Sequence, residues 1–308
     1  MAESEKGHKI LIAGLDEAGK TSILNILNEN YNQMDRIKPT VGYNRSFMKI
    51  LGIPIVNFDL GGQEKYREQY FSDPRIFEET DSLFFVIDAF QVARYNEAFD
   101  YYKRIIETYE QLNLKPKIVL CIHKIDPNLR EDPRVPELVA KLRERIVSMS
   151  PPGFEITIFV TSIYDRKTVV EAFSKTLQEL VTSLKPFKKI MESLVKFLKI
   201  DGALLFDENF LIIGDYFLTP ELEQKCLDNL YNSIYYINNV NPNMAQNFFM
   251  SLDLILDSKS QEKCFNFIET KYKTLPLYLL TMGSKKLYGK TLEAKFFAMC
   301  ELFEKELS

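Results

Sequence analysis

A chain of 308 residues with 46% apolar content exceeds one ordinary hydrophobic core and can fill two. A net charge of −4 gives no electrostatic reason to expect a nucleic-acid partner. Cys121, Cys226, Cys264 and Cys300 are scattered among apolar neighbours, which argues against a disulfide framework or a cysteine-held metal and suits a reducing cytoplasm. The chain opens on a polar, acidic stretch, Met1 to His8, with a strand following at once, so no signal peptide is expected. No apolar run is long enough to span a bilayer, Ala2 stands where myristoylation needs glycine, and Cys300 is too far from the end for a prenylation box. The expected location is the cytoplasm, with membrane contact only indirect, through a partner.

The apolar run Ile10-Leu11-Ile12-Ala13 leads into Gly14-Leu15-Asp16-Glu17-Ala18-Gly19-Lys20-Thr21-Ser22. The G-x4-G-K-T spacing between a strand and a helix is a phosphate-binding loop: glycines let the backbone wrap a triphosphate and turn its N–H groups inward. Lys20 reaches the β- and γ-phosphates, and the Thr21 hydroxyl is placed to ligate Mg²⁺ at the positive end of the helix. The loop alone leaves the nucleotide and its fate open. Downstream, Pro39-Thr40-Val41-Gly42 lies in a polar connection from which Thr40 can close over the metal. Arg36 precedes Thr40 near where some nucleotide hydrolases supply an arginine in cis, but beside Asp35 and Lys38 it reads as a solvated loop residue.

A strand over 46–58 ends in Asp59-Leu60-Gly61-Gly62-Gln63-Glu64. Asp59 at the strand end faces the metal through water, the Gly62 N–H is offered to the γ-phosphate, and the Gln63 amide orients an attacking water. The buried strand 117–122 then ends in His123-Lys124-Ile125-Asp126. Asp126 accepts from guanine N1–H and the exocyclic amine, a pattern adenine lacks, and the Lys124 stem covers the ring. After a further strand at 156–160, Thr161-Ser162-Ile163 brings a backbone N–H to guanine O6 and also suits a helix N-cap. Between these lies a Pro-punctuated charged connection over 127–136. With a strand at 82–88 and helices over 20–29, 93–113, 135–149 and 168–183, the order predicts an α/β fold with a mostly parallel sheet.

With these segments in order, the chain resembles the Ras-like small GTPases. Gly14 to Thr21, Pro39 to Asn44 and Asp59 to Gln63 look like the Arf branch, whereas His123-Lys124-Ile125-Asp126 and Thr161 to Asp165 look like the Rag/Gtr branch. Length decides for Rag/Gtr, whose members carry a second domain where an Arf-like protein would stop. Two departures matter. His123 stands where most Ras-like proteins have Asn, so the tie between base loop and phosphate loop has to be remade. Asp16 stands where many Ras proteins have Gly, and a carboxylate there crowds an arginine finger from that side.

Composition changes at Lys185-Pro186, giving an expected first domain at 1–185 and a second at 186–308. From Phe187, apolar Ile190, Met191, Leu194, Phe197 and Leu198 recur at helical spacing opposite Lys188, Lys189, Lys196 and Lys199, a helix expected to pack on the sheet that follows. A hairpin over 203–214, a helix opening at Thr219-Pro220 with Leu222, Cys226, Leu230, Ile234 and Ile237 on its apolar face, strands at 247–256, 262–270 and 276–282, and a helix over 291–305 complete an α+β order. This order resembles the roadblock/longin-like domain of Rag/Gtr proteins, which implies dimerisation with a second GTPase chain, homo- or heterotypic, and regulation by GTPase-activating and exchange proteins. Dense aromatics, among them Phe248, Phe249, Phe265, Phe267, Phe296 and Phe297, exceed what so small a core needs and point the same way.

The expectation is a GTP/GDP switch that hydrolyses GTP, with Lys20 and Gln63 catalytic. The alternative is a nucleotide-bound scaffold with negligible turnover, which the intact Gln63 argues against. A P-loop metabolic kinase would leave residues 123–126 unexplained.

Overall fold

The computed structural model describes residues 7–27, 38–228, 249–255, 262–284, 287 and 289–303. Arg36 and the distal part of the helix opening at Thr219 lie outside them. The chain forms two compact units that meet inside the fifth helix, one running up to Ala172 and the other from Phe173.

The first unit alternates β1 (His8–Ala13), α1 (Lys20–Leu27), β2 (Tyr43–Ile50), β3 (Ile53–Leu60), α2 (Glu64–Ser72), β4 (Ser82–Asp88), α3 (Tyr95–Gln111), β5 (Lys117–His123), α4 (Arg134–Met149), β6 (Ile156–Thr161) and α5 (Arg166–Leu180). The sheet runs β2-β3-β1-β4-β5-β6, parallel except for the edge strand β2. Its central strands read as unbroken apolar runs because helices cover both faces, and Ile10 to Ala13 are wholly buried. α3 lays Ala98, Phe99, Tyr102, Ile105, Ile106 and Tyr109 into this core at helical spacing. Register carries the consequence for function: Ile12 pairs with Asp59, Ala13 with Phe85, Asp88 with His123 and His123 with Thr161. The carboxyl ends of β1, β3, β4, β5 and β6 therefore finish along one edge, and β1, which pairs with β3 on one side and β4 on the other, marks the point where strand order reverses. Ligands of open α/β sheets bind at such an edge.

The single strand expected over 46–58 is instead a hairpin. Leu51 (φ 48°) and Gly52 (φ 83°) form its two-residue turn, whose positive φ values match the twist of the flanking strands. A leucine in that conformation carries no turn signal. α2 was not foreseen as a helix. The other helices fall within two residues of expectation at their starts, α5 opening at Arg166 rather than at 168.

In the second unit α6 (Lys185–Leu198), β7 (Gly202–Phe206), β8 (Ile212–Phe217), α7 (220–228), β9 (Phe249–Ile255), β10 (Glu262–Tyr272), β11 (Leu275–Gly283) and α8 (Gly289–Leu302) follow the expected order. The antiparallel sheet runs β8-β7-β11-β10-β9. α6 buries Phe187, Ile190, Met191, Leu194 and Val195, and it packs on β7, β8 and α8. Phe197, expected on that face, is 54% exposed under the Lys295 ammonium. The opposite sheet face, with Leu204, Phe206, Phe265, Phe267 and Leu280, is covered by Cys226 and Leu227 of α7. Tyr278 stacks on both Phe206 and Phe267, with centroids 5.6 and 5.7 Å away, and the two phenylalanines are tilted to each other at 5.9 Å. Phe265, Phe267 and Phe296 are thus core residues of this unit, not surplus at its surface. From α5, Ser174 Oγ accepts from Ile212 N at 2.9 Å and Gln178 Nε2 donates to Ile212 O at 3.2 Å, tying off the start of β8.

All four cysteines are free thiols. No helix among the described residues is long and apolar enough to cross a membrane.

Candidate nucleotide-binding site

Past β1 the chain turns at Gly14 with φ +146°, where a Cβ would fall 2.3 Å from the Val86 carbonyl oxygen, so only glycine fits. Glu17 and Gly19 also take positive φ before α1 begins at Lys20. The Lys20 side chain folds back across the loop and donates from Nζ to Leu15 O at 2.6 Å. Burial lowers its pKa to about 8, against the pull of Asp59 and Asp16. Among the described residues this buried ammonium makes its hydrogen bond to a neutral carbonyl and not to an anion.

Thr21 Oγ1 and Thr40 Oγ1 both donate to Asp59 Oδ2, at 2.6 and 3.2 Å, and lie 3.1 Å apart. Asp59 is 2% exposed, and burial raises its carboxyl pKa despite the Thr21 bond, Lys20 and the Thr40 bond. Its Oδ1 is buried with no hydrogen-bond partner among the described residues. Two hydroxyls and a carboxylate with an unsatisfied oxygen form the hard-oxygen set that suits Mg²⁺.

The glycines after β3 allow close backbone approach. A Cβ on Gly62 would lie 2.1 Å from Asp16 N, and Gly61 N donates to Gly42 O at 2.8 Å. Tyr70 Oη of α2 donates to the same Gly42 carbonyl at 2.5 Å. The phosphate loop, the Thr40 segment and the start of α2 are therefore joined. Gln63 is the N-cap of α2 in extended conformation, and its side chain makes no capping bond.

A cavity of about 430 Å³ is lined by Asp16, Glu17, Gly19, Lys20, Thr21, Ser22, Lys38, Pro39, Thr40, Gly62, Gln63 and Lys124. Ten of these are residues expected from the sequence; Lys38 and Pro39 are additions. Gly14 and Ala18 shape the loop from behind, and Asp59 sits beneath Thr21 and Thr40.

Of the base-loop residues, only Lys124 lines this cavity. It takes φ 69°, and its Nζ pairs with Asp88 Oδ2 at 2.8 Å. Asp126 Oδ1 accepts from Ser162 Oγ at 2.5 Å, and Ser162 Oγ accepts from Tyr164 N at 3.0 Å, so the β5 and β6 loops are joined through the acid expected to select the base. Ile163, half-buried, follows in that loop. Arg130 pairs with Asp165 across the same two loops.

His123 answers the question its identity raised. The imidazole is 1% exposed, with Nδ1 2.9 Å from Thr161 Oγ1. Its other edge lies against Gly19, where a Cβ would meet Cδ2 at 2.4 Å and Nε2 at 2.7 Å. Base loop and phosphate loop are thus tied by packing of a ring on a glycine. Burial, followed by the Lys124 charge, lowers the His123 pKa to about 4, so the ring is neutral at ordinary pH.

Arg94, just before α3, carried no signal in the sequence because its partner lies 78 positions away: Nη2 bonds Asp16 Oδ1 at 2.7 Å.

Compared with known proteins, residues 9–266 match the family model described as Gtr1/RagA G protein conserved region. Ras-related GTP-binding protein A of Dictyostelium discoideum is 31% identical over 212 residues, 67% of this chain and 69% of that protein. GTP-binding protein GTR2 of Saccharomyces cerevisiae is 28% identical over 65% of this chain and 59% of its own length, so part of that relative has no counterpart in the match. The solved Arl6 BBS3 small GTPase of Trypanosoma brucei with bound nucleotide analogue GppNp is 21% identical with a TM-score of 0.46, covering 57% of this chain and 98% of that one. The family model spans most of the sequence and both units, and with it the chain is a small GTPase belonging to the Gtr1/RagA family of G proteins.

Proposed function

We propose that this chain is a GTP/GDP switch which binds guanine nucleotide with Mg²⁺ and hydrolyses GTP using Gln63. The observation that carries the reading is the convergence of Thr21, Thr40 and the unsatisfied Asp59 carboxylate beside the folded-back Lys20. When phosphates enter, the Lys20 ammonium exchanges the Leu15 carbonyl for phosphate oxygens, and the Gly62 N–H takes the γ-phosphate. Thr21 and Thr40, with Asp59 through water, would hold a Mg²⁺ that would neutralise charge on the phosphates. Gln63, uncommitted as a cap, aims its amide at the water that attacks in line. Asp126 selects guanine, held in place by Ser162, with Lys124 over the ring and Ile163 offering its backbone N–H. Thr40 and Gly62 touch both the γ-phosphate end and the segments that follow them, so its loss releases 38–42 and α2, and this conformational difference is the signal.

Residues 186–308 are proposed to be the roadblock/longin-like domain that pairs with a second GTPase chain. Family membership supports this; Phe265, Phe267 and Phe296, being buried in the unit's own core, do not add to it. Cytoplasmic placement with recruitment to a membrane by a partner is part of the same reading, as is regulation by activating and exchange proteins. Single-turnover hydrolysis of GTP decides between switch and scaffold. Gln63→Leu is expected to keep nucleotide affinity and lose at least about tenfold in rate; equal turnover in both proteins removes Gln63 from the mechanism.

A further inference from the structure

Asp16 puts a carboxylate on the wall of the cavity expected to receive a triphosphate, with its backbone N against Gly62, at the γ-phosphate end. Left bare, that charge repels the γ-phosphate, the group that distinguishes GTP from GDP. The fold answers with Arg94, whose Nη2 bonds Asp16 Oδ1 at 2.7 Å. The same guanidinium is gripped by Glu97, Nε to Oε2 at 2.8 Å and Nη2 to Oε1 at 3.0 Å. Glu97 Oε1 also accepts from Arg67 Nη2 of α2, and the Arg67 side chain is only 10% exposed. Arg67 N in turn bonds Gln63 O at 3.1 Å in the first turn of that helix. Four charges of alternating sign, Asp16, Arg94, Glu97 and Arg67, thus run from the phosphate loop to the helix that Gln63 caps.

We propose that Arg94 is a positioning and specificity-determining residue: it neutralises Asp16 beside the γ-phosphate site and so sets the preference for nucleoside triphosphate over diphosphate. It touches no substrate itself. Glu97 fixes the guanidinium on its far side, so that Arg94 stays on Asp16 and does not swing into the cavity. This role of Arg94 rests on the proposed nucleotide binding.

The test is the ratio of affinities for a non-hydrolysable GTP analogue and for GDP, both with Mg²⁺, in the full chain. Arg94→Ala is expected to lower the preference for the GTP analogue about three- to tenfold, the effect of one exposed charge a few ångströms from another. The double variant Arg94→Ala with Asp16→Asn should return the ratio to within about twofold of wild type, because the repelling charge is gone as well. A general loosening of the fold would not be rescued by Asp16→Asn. An unchanged ratio in Arg94→Ala, or a lowered ratio that Asp16→Asn fails to restore, overturns the proposal. Should Arg94→Ala not fold, Asp16→Asn alone decides: a shift toward the GTP analogue supports the proposal, and no shift or a shift toward GDP overturns it. Wild type that binds neither nucleotide would sink the nucleotide reading itself; wild type that binds both, with an indifferent Arg94→Ala, sinks only this inference.

Discussion

Replacing His123 with Asn should flatten the acid limb of the stability curve. The imidazole is 1% exposed, and burial, the main cause, takes its pKa from 6.5 to about 4. Above pH 6.5 the ring is neutral in both the folded and unfolded chain and contributes no pH dependence. Between 6.5 and 4 the unfolded chain takes up a proton that the native ring refuses, so native stability is lost as pH falls through that window. At pH 5 the loss amounts to about 2 kcal/mol, taken from the two pKa values at about 1.36 kcal/mol per unit. Urea unfolding at pH 7 and pH 5, with identical nucleotide load, measures it. Wild type should lose about 2 kcal/mol more than His123→Asn over that interval, while the carboxylates common to both cancel. Equal losses would mean that the ring is charged or solvated in the native state, and the packing account of the base loop would fall.

Gly19→Ala attacks the same contact from the other side: a Cβ would lie 2.4 Å from the His123 ring at a backbone φ of +98°, so a loss of about 2 kcal/mol or more is expected by thermal melting, and an unchanged Tm would refute it. Asp126→Asn keeps an acceptor for Ser162 but presents an amide to the base, so preference should move from guanine to xanthine; wild type binding ATP as tightly as GTP would undo the assignment of residues 123–126. Light scattering of the full chain across the micromolar range should give a dimer, and a monomer throughout would remove homodimerisation and leave pairing with a different GTPase chain.

The parts of the site legible in the sequence are those whose chemistry is written in a short run. Gly14 to Ser22, Thr40, Gly62 with Gln63, and Lys124 are recognisable because spacing along the chain fixes their spacing in space, and all of them line or frame one cavity. What escaped depends on pairs distant in sequence or on residues used against type. Arg94 gains meaning only when β4 and the phosphate loop lie side by side. Leu51 turns a hairpin in a conformation usually given to Gly or Asn, which hid the break between β2 and β3. α2 has charged and polar residues at most positions and almost no apolar periodicity; it is held by Tyr66, Arg67 and Tyr70 on one side. Of the aromatics counted in the second unit, Phe265, Phe267 and Phe296 lie in its core, while Phe248 falls outside the described residues. Composition counts rings but does not say that a sheet covered on both faces has room for them.

The two departures from the Ras-like pattern, His123 and Asp16, are met by opposite physical means. The base loop is joined to the phosphate loop by a neutral ring against a glycine Cα, a contact of dispersion and exclusion that ionic strength barely touches. The phosphate loop is joined to α3 and α2 by ion pairs among side chains 10–39% exposed, which salt screens and which a single uncompensated substitution unbalances. A rigid, salt-insensitive tie suits the end of the site proposed to hold the base, since the base is identical in GTP and GDP and nothing there would have to respond. On the proposed reading a tie made of charges suits the γ-phosphate end, where the two nucleotides differ by charge and where Gln63 and α2 would register that difference. The division of labour between packing and electrostatics along this one cavity follows the chemistry of its proposed ligand.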